Sequence, residues 1–566
     1  IQMYEWTDQE KQKAEGEAPF GSGYGTWSTI LEKNELFVSM GYDRSTQRTG
    51  YYDWNNNKQT QQDILNNVTN FSQNNMTSQN PGYAAVETAP MDLNNSGKKE
   101  YVATLSFNRG SKSSGTLQLY VTDTSNNVVT NRVTVGNHGI KQLNDLDTYE
   151  LKGAFSIAAG DFDGDGKDTI IVYIPKMYEG APFIAEYAVN RGTIETTPKS
   201  TVCSNVVKLL GNSTIQEKLK DQPMVSLVAE DTDKDGFDEL VVTAGMNDVT
   251  TDDTHLGSRL FVYDQLTNHT WNKTYENELK VSEDNDRIVW ASSTVGNMVA
   301  STGTGVDYPE ILSAGFVDDD KGKNINLHGE DYIGVVGVKV QSVSSTGNKF
   351  TITGKDGKQS IANNVICNYQ EMFKQRMDSN GWTRGGLYEK DDVNSLLQVQ
   401  AFADRGIGEA ESVFISGSVY RVTESGVTEK YKYSEFDSKD KGATSGAISQ
   451  AITNTNVISV AAGNFNGNEF GQEQIIFVTA LRQSGKNNTW SRVYCYYNEY
   501  DNSAKTKTDE FKGERSSYLT EHKGAFYITL NAVDPDNDST VAYLNDVSRT
   551  YSQPDVLAIL EASPYF

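Results

Sequence analysis

Ser156–Ile174 reads SIAAGDFDGDGKDTIIVYI, and Val225–Ala244 reads VSLVAEDTDKDGFDELVVTA. In each segment two apolar runs flank a loop whose alternate positions are acidic: Asp161, Asp163 and Asp165 in the first, Asp231, Asp233 and Asp235 in the second. Carboxylates at alternate positions of a tight turn converge on one point, an arrangement suited to a hard cation bound through oxygen. A helix–loop–helix calcium motif would carry a bidentate Glu at loop position twelve, but that position is Val172 or Val242, inside β-branched runs. Each loop therefore joins two strands.

Weaker copies of the same unit start at Asp92, Asn297, Asp404, Asn464 and Asp534. The seven starts, 92, 161, 231, 297, 404, 464 and 534, differ by 69, 70, 66, 107, 60 and 70 residues. Self-similarity at this period marks an array of supersecondary units. A unit of about 65 residues holds about four short strands with their turns, and four-stranded sheets repeated radially form a β-propeller. The expected fold class is all-β: a seven-bladed β-propeller with calcium-binding loops between the first two strands of several blades.

The segments AAGDFDGDGKDTIIVY and VAEDTDKDGFDELVVT resemble the FG-GAP or VCBS repeats of integrin α-subunit-type propellers and bacterial surface proteins. The resemblance covers about residues 85 to 566, closely at two copies and loosely elsewhere. It implies Ca2+ bound by side chains at loop positions 1, 3, 5 and 9 and by a carbonyl at 7. Carried onto this chain, the second loop would use Asp231, Asp233, Asp235 and Glu239 with the Phe237 carbonyl. The first would use Asp161, Asp163 and Asp165 with the Lys167 carbonyl; Thr169 stands at position 9, where either Asp168 substitutes or the site is weaker. The earliest copy offers Asp92, Asn94, Ser96 and Glu100 with the Lys98 carbonyl, and the last offers Asp536 and Asp538 beside Asp534. The Asn464 copy is uncharged and reads as a turn held by Asn side chains. The Asn297 and Asp404 copies lack ligands and read as metal-free turns.

With 76 Asp plus Glu against 50 Lys plus Arg, the formal charge is −26, which argues against nucleic acid or an anionic membrane surface as partner. The three cysteines, Cys203, Cys367 and Cys495, form neither a disulfide framework nor a metal-binding CxxC pattern. No run of 18 apolar residues occurs, so no membrane-spanning segment is expected. The start, IQMYEWTDQE, is read as that of a processed or excised fragment. Abundant Tyr, Asn, Thr, Ser and Gly with few Cys is similar to exported bacterial surface proteins, so an extracellular or cell-surface location is expected.

Residues 1–82 are expected to form an N-terminal wrap with a short helix over Gln61–Phe71. The hairpin Glu35–Tyr42 with Gly50–Trp54 would complete the last blade, because an open ring leaves unpaired strand edges. Residues 83–566 are expected to form the propeller. The long spacing between the fourth and fifth copies predicts an insertion at about 318–400, with a helix over Val365–Met377. It serves either as a lid or as cover for exposed sheet. Trp290, Tyr308 and Trp382 flank it as candidate ligand contacts or as core.

No nucleophile elbow, zinc-protease helix, phosphate loop or dinucleotide fingerprint is present. The expected activity is binding of a surface glycan or protein rather than catalysis, within a larger exported surface protein. Two alternatives are a polysaccharide lyase or glycoside hydrolase on a calcium-binding propeller, and a purely architectural segment of a giant adhesin.

Overall fold

The computed structural model describes residues 2–8, 25–29, 84–97, 99–111, 114–123, 128–135, 155–175, 180–211, 223–246, 256–279, 287–299, 308–318, 332–344, 349–353, 396–404, 410–415, 418–423, 426–431, 457–463, 473–482, 488–496, 498–501, 506–511, 514–523, 527–533 and 556–562. Lys98, Asp534, Asp536, Asp538, Trp382, the expected hairpin Glu35–Tyr42 with Gly50–Trp54 and both expected helices lie outside the described residues.

The chain is all-β. Among the described residues, strands form seven four-stranded sheets and two small two-stranded ones. The first sheet contains Ala84–Met91, Tyr101–Ser111, Ser114–Asp123 and Val133–Thr134. The second contains Ser156–Gly160, Thr169–Ile174, Phe183–Tyr187 and Ser200–Cys203. The third contains Met224–Glu230, Glu239–Met246, Leu256–Gln265 and Trp271–Glu278. The fourth to seventh open with Arg287–Gly296, Val399–Phe402, Val457–Gly463 and Tyr527–Val533. The first strand of each sheet packs on the first strand of the next, and Tyr527–Val533 packs back on Ala84–Met91, so the contacts run in a closed circuit.

Burial explains this arrangement. Thr169–Ile174 is buried at every position because both faces of the second strand lie under neighbouring sheets. The outermost strand of the third sheet, Trp271–Glu278, has no fully buried residue. The apolar clusters lie between sheets: Leu105 and Val121 of the first meet Ile170 and Val172 of the second, and Ile171 and Tyr173 meet Leu240, Val242 and Phe261 of the third. Burying each such Leu, Ile, Val or Phe side chain contributes about 1.5–3 kcal/mol.

Two local expectations change, the closing strands and the insertion. Val556–Ala562 pairs with Gln2–Asp8, which pairs with Gly25–Thr29, so strands nearer the start than the expected hairpin complete the seventh sheet. Trp6 is the register partner of Trp27 in that pairing. The outer strand of the second sheet, Ser200–Cys203, gives way to a helical turn, Val206–Leu209. Asn205 causes the change: its side chain caps the turn by accepting from Lys208 N at 3.1 Å.

The expected insertion at about 318–400 is corrected over its described strands, while 354–395 lie outside the described residues. Tyr332–Ser344 and Lys349–Thr353, assigned to it by loop spacing, are the third and fourth strands of the fourth sheet. Val335, Val336 and Val338 are buried there, which holds the segment in the sheet. Finally, Trp290 is buried core at a bulge between Val289 and Ser292, where it has φ +49°, and Tyr308 packs against a neighbouring core cluster. Neither forms an exposed ligand platform. No helix among the described residues is long and apolar enough to cross a membrane.

Candidate metal centre

Three loops between first and second strands share one backbone. At loop positions 4 and 6 the chain is left-handed in all of them: Asn95 and Gly97 (φ +60° and +76°), Gly164 and Gly166 (+69° and +82°), Lys234 and Gly236 (+59° and +91°). Two such residues fold the loop back over its first aspartate. That aspartate holds the turn with both oxygens. Asp92 Oδ2 accepts from Gly97 N at 2.6 Å, Asp161 Oδ2 from Gly166 N at 2.8 Å, and Asp231 Oδ2 from Gly236 N at 3.0 Å. Oδ1 accepts from the amide at position 5, Ser96, Asp165 or Asp235, at 3.1–3.2 Å.

The loops differ in what converges inside. Asp161, Asp163 and Asp165 offer carboxylate oxygens within 4.8 Å of one another, as do Asp231, Asp233 and Glu239. Asp163 Oδ1 is buried with no hydrogen-bond partner. Burial first, then the neighbouring aspartates, pushes the Asp233 carboxyl up to about 7. Burial and the Asp233 charge push Glu239 up to about 9. Burial likewise raises Asp161 and Asp235. These are crowded carboxylates, of which Asp163 alone pairs with a lysine, Lys199, among the described residues, and a hard divalent cation bound through oxygen fits that donor set. In the earliest loop, Glu100 Oε2 accepts from Asn94 Nδ2 at 3.0 Å and Ser96 Oγ at 3.3 Å, so these side chains do converge, with two carboxylates, Asp92 and Glu100, among them.

The remaining expected ligands go elsewhere. Asp168 turns away from its own loop: its Oδ2 accepts from Asp92 N at 2.7 Å and from Lys99 Nζ at 2.6 Å. Thr169 Oγ1 donates to Glu186 Oε1 at 3.0 Å. Position 8 is a clasp to the preceding sheet. Asp168 N donates to Asp92 O at 2.7 Å, and in the next pair Asp238 Oδ2 accepts from Asp161 N at 2.8 Å while Asp238 N donates to Asp161 O at 2.9 Å. Glu473 holds Ala403 in the same two-way manner, at 2.7 and 3.0 Å, and Glu411 N donates to Asn297 O at 2.8 Å.

The loops also touch directly. Asn95 Nδ2 donates to Asp165 O at 3.2 Å, and the Phe237 ring lies against Gly164. A sequence signal for the clasps exists. An acidic residue stands two positions before the buried residues Ile170, Leu240, Val413 and Ile475, and Lys99 holds the matching place before Tyr101.

Several acids of this end of the ring influence one another. Glu230, the last residue of Met224–Glu230, is exposed, and the charges of Asp238, Lys99 and Glu473 act on its carboxyl. Partial desolvation and then the Asp238 charge raise the Glu230 carboxyl, opposed by Lys99. Glu411, from an ordinary 4.5, is pushed to about 7 by burial and by Glu473. A carboxyl whose folded value exceeds its unfolded one binds its proton more tightly when folded, so its ionisation opposes folding. With calcium saturating, the melting temperature should fall as pH rises from about 4.5 to about 7. Glu411→Gln should flatten part of that slope in thermal melts at fixed ionic strength, and an unchanged slope would remove Glu411 as a cause.

No family model and no curated protein matches this chain. Among solved structures, a fructosyltransferase from A. japonicus aligns at 8% identity with a TM-score of 0.27, over 84% of this chain and 65% of that one. A protein from Lactobacillus plantarum aligns at 9% identity with a TM-score of 0.23, over 78% of this chain and 99% of its own. The chain thus spans just under two thirds of the fructosyltransferase. The expectation of a protein that is not an enzyme is not upheld: the aligned structures include a fructosyltransferase.

Proposed function

We propose that this chain is a seven-bladed, calcium-binding β-propeller of an exported surface protein, related to the FG-GAP or VCBS repeats, which presents loops for recognition of a glycan or protein ligand. The observation that carries the calcium reading is the pair of loops at Asp161 and Asp231, with one backbone and three converging carboxylate oxygens each. Seven four-stranded sheets with cyclic contacts between their first strands support the blade count. Calcium in this reading orders the loops and neutralises the crowded carboxylates; the chain's own residues form the recognition surface. The test is calcium titration of the full chain by calorimetry, followed by glycan-array binding with and without calcium. Absence of calcium uptake would overturn the metal reading, and calcium-independent absence of glycan and cell-surface binding would overturn the recognition reading.

A second reading, a polysaccharide lyase or glycoside hydrolase, is favoured by the carboxyl of Glu411, held at the sheet clasp to Asn297, acted on by the charges of Glu473 and Glu230 and raised to about 7. Carboxyls with values near neutral suit proton transfer. Incubation with a polysaccharide panel, monitored for new reducing ends and unsaturated products, tests it. Turnover abolished by Glu411→Gln, with the calcium-dependent melt retained, would establish this reading.

A further inference from the structure

The loops at Asp161 and Asp231 share a backbone but not their surroundings. Glu239 stands at position 9 of the second loop, and Thr169 in the first. Behind Thr169 lies Glu186, fully buried, which accepts from Thr169 Oγ1 at 3.0 Å, Ser200 Oγ at 2.6 Å and Gln265 Nε2 at 2.7 Å. The Lys199 ammonium joins this acid to the loop: Nζ is 2.8 Å from Asp163 Oδ2 and 3.1 Å from Glu186 Oε1. The imidazole of His269 is a further neighbour, with Nδ1 3.8 Å from Asp163 Oδ2.

Asp163 is therefore divided. Oδ2 is held by Lys199, while Oδ1 is buried without a hydrogen-bond partner and belongs to a side chain that converges with Asp161 and Asp165. Among the described residues, no lysine or arginine pairs with the Asp231, Asp233 and Glu239 carboxylates. Lys273, on the outer strand of the third sheet, pairs instead with Glu276 and lies 5.6 Å from the Phe261 ring centre.

We infer that Lys199 is a built-in counter-ion that grades the two loops, making the Asp161 loop the weaker calcium site while leaving Asp163 Oδ1 available to the cation. This rests on the calcium reading of both loops. A fixed positive charge one ligand removed from a divalent cation lowers its affinity by about tenfold at water-like screening. Two affinities then follow from one loop geometry, so the loops fill in sequence as calcium rises.

The experiment is calcium calorimetry on the full chain, with Asp163→Asn and Asp233→Asn marking which transition belongs to which loop. Lys199→Met should tighten the transition lost in Asp163→Asn by about tenfold and leave the one lost in Asp233→Asn unchanged. Lys199→Arg, which keeps the charge, should bind like the wild type. If Lys199→Met alone does not fold, the Glu186→Gln/Lys199→Met pair removes the buried acid together with its partner and should tighten the same transition by a smaller factor. Two transitions unchanged by loss of Lys199 would overturn the inference and leave the calcium reading standing. No calcium uptake by wild type and variants alike would overturn the calcium reading itself.

Discussion

Addition of calcium to the calcium-free protein should raise its melting temperature by about 3–5 °C, and the gain should disappear loop by loop. The reasoning starts from mass action. Extracellular modules bind calcium at roughly 10⁻⁴ to 10⁻³ M. At about 10 mM free calcium each loop would then contribute about 1.4–2.7 kcal/mol, because the ion binds the folded loop and not the unfolded chain. Two loops together give about 3–5 kcal/mol, and a chain of this size loses about 1 °C per kcal/mol when it melts as one unit.

Asp233→Asn should remove most of the contribution of its own loop, because Asp233 is buried among Asp231, Asp235 and Glu239. In the calcium-free protein the same substitution should be neutral or stabilising, since it relieves a carboxyl already pushed up to about 7. Asn466→Ala, in the uncharged copy, should leave the gain intact. Melts in calcium and in excess chelator, with metal content checked, decide the matter: identical curves in both would end the calcium reading.

The second large effect is expected at the clasp between the second and third sheets. Asp238→Ala should destabilise the folded chain by about 1.5–3 kcal/mol, since it removes a charged acceptor from Asp161 N. Asp238→Asn should cost much less at pH 8. The amide oxygen can still accept from Asp161 N, and the substitution removes a carboxyl that burial has pushed up to about 6.

Gly160→Val should be the most damaging of this group. A Cβ at Gly160 would stand 2.6 Å from Asp238 Oδ2 and 2.8 Å from Ala229 Cβ, so any side chain there wedges the two sheets apart. A loss above about 3 kcal/mol is expected there, near the upper end for overpacking, because the clasp breaks as well. Chemical denaturation of the four proteins in saturating calcium measures it. Equal stability of Asp238→Ala and wild type would show that the clasp is a contact without energetic weight. Calcium affinity supplies a second readout. Asp161 belongs to both the clasp and the metal loop, so Asp238→Ala should weaken the Asp161 loop more than the Asp231 loop.

Local order was written in the sequence. Alternate aspartates with glycines, bounded by apolar β-branched runs, determined that Asp161 and Asp231 begin strand-joining loops, because tight turns and fully buried strands each demand those residue types locally. Near-constant spacing determined that the units are sheets of similar size. Spacing could not say which residues fill an unusually long interval, and Tyr332–Ser344 proved to be sheet once its buried valines met their neighbours. It could not say which early strands close the last sheet, since many N-terminal runs have suitable composition and only the pairing of Met3 with Ala558 selects one.

The direction of side chains was decided by tertiary structure alone. Asp168 and Thr169 looked like metal ligands because they sit in the right loop. Asp168 instead clasps Asp92, and Thr169 turns to Glu186, a residue seventeen positions away that is brought under the loop by the third strand. Lys199 reaches Asp163 from thirty-six positions away for the same reason. Sequence pattern reports what a residue does to its own backbone; which charge meets which across sheets depends on a register and packing that appear when the sheets come together.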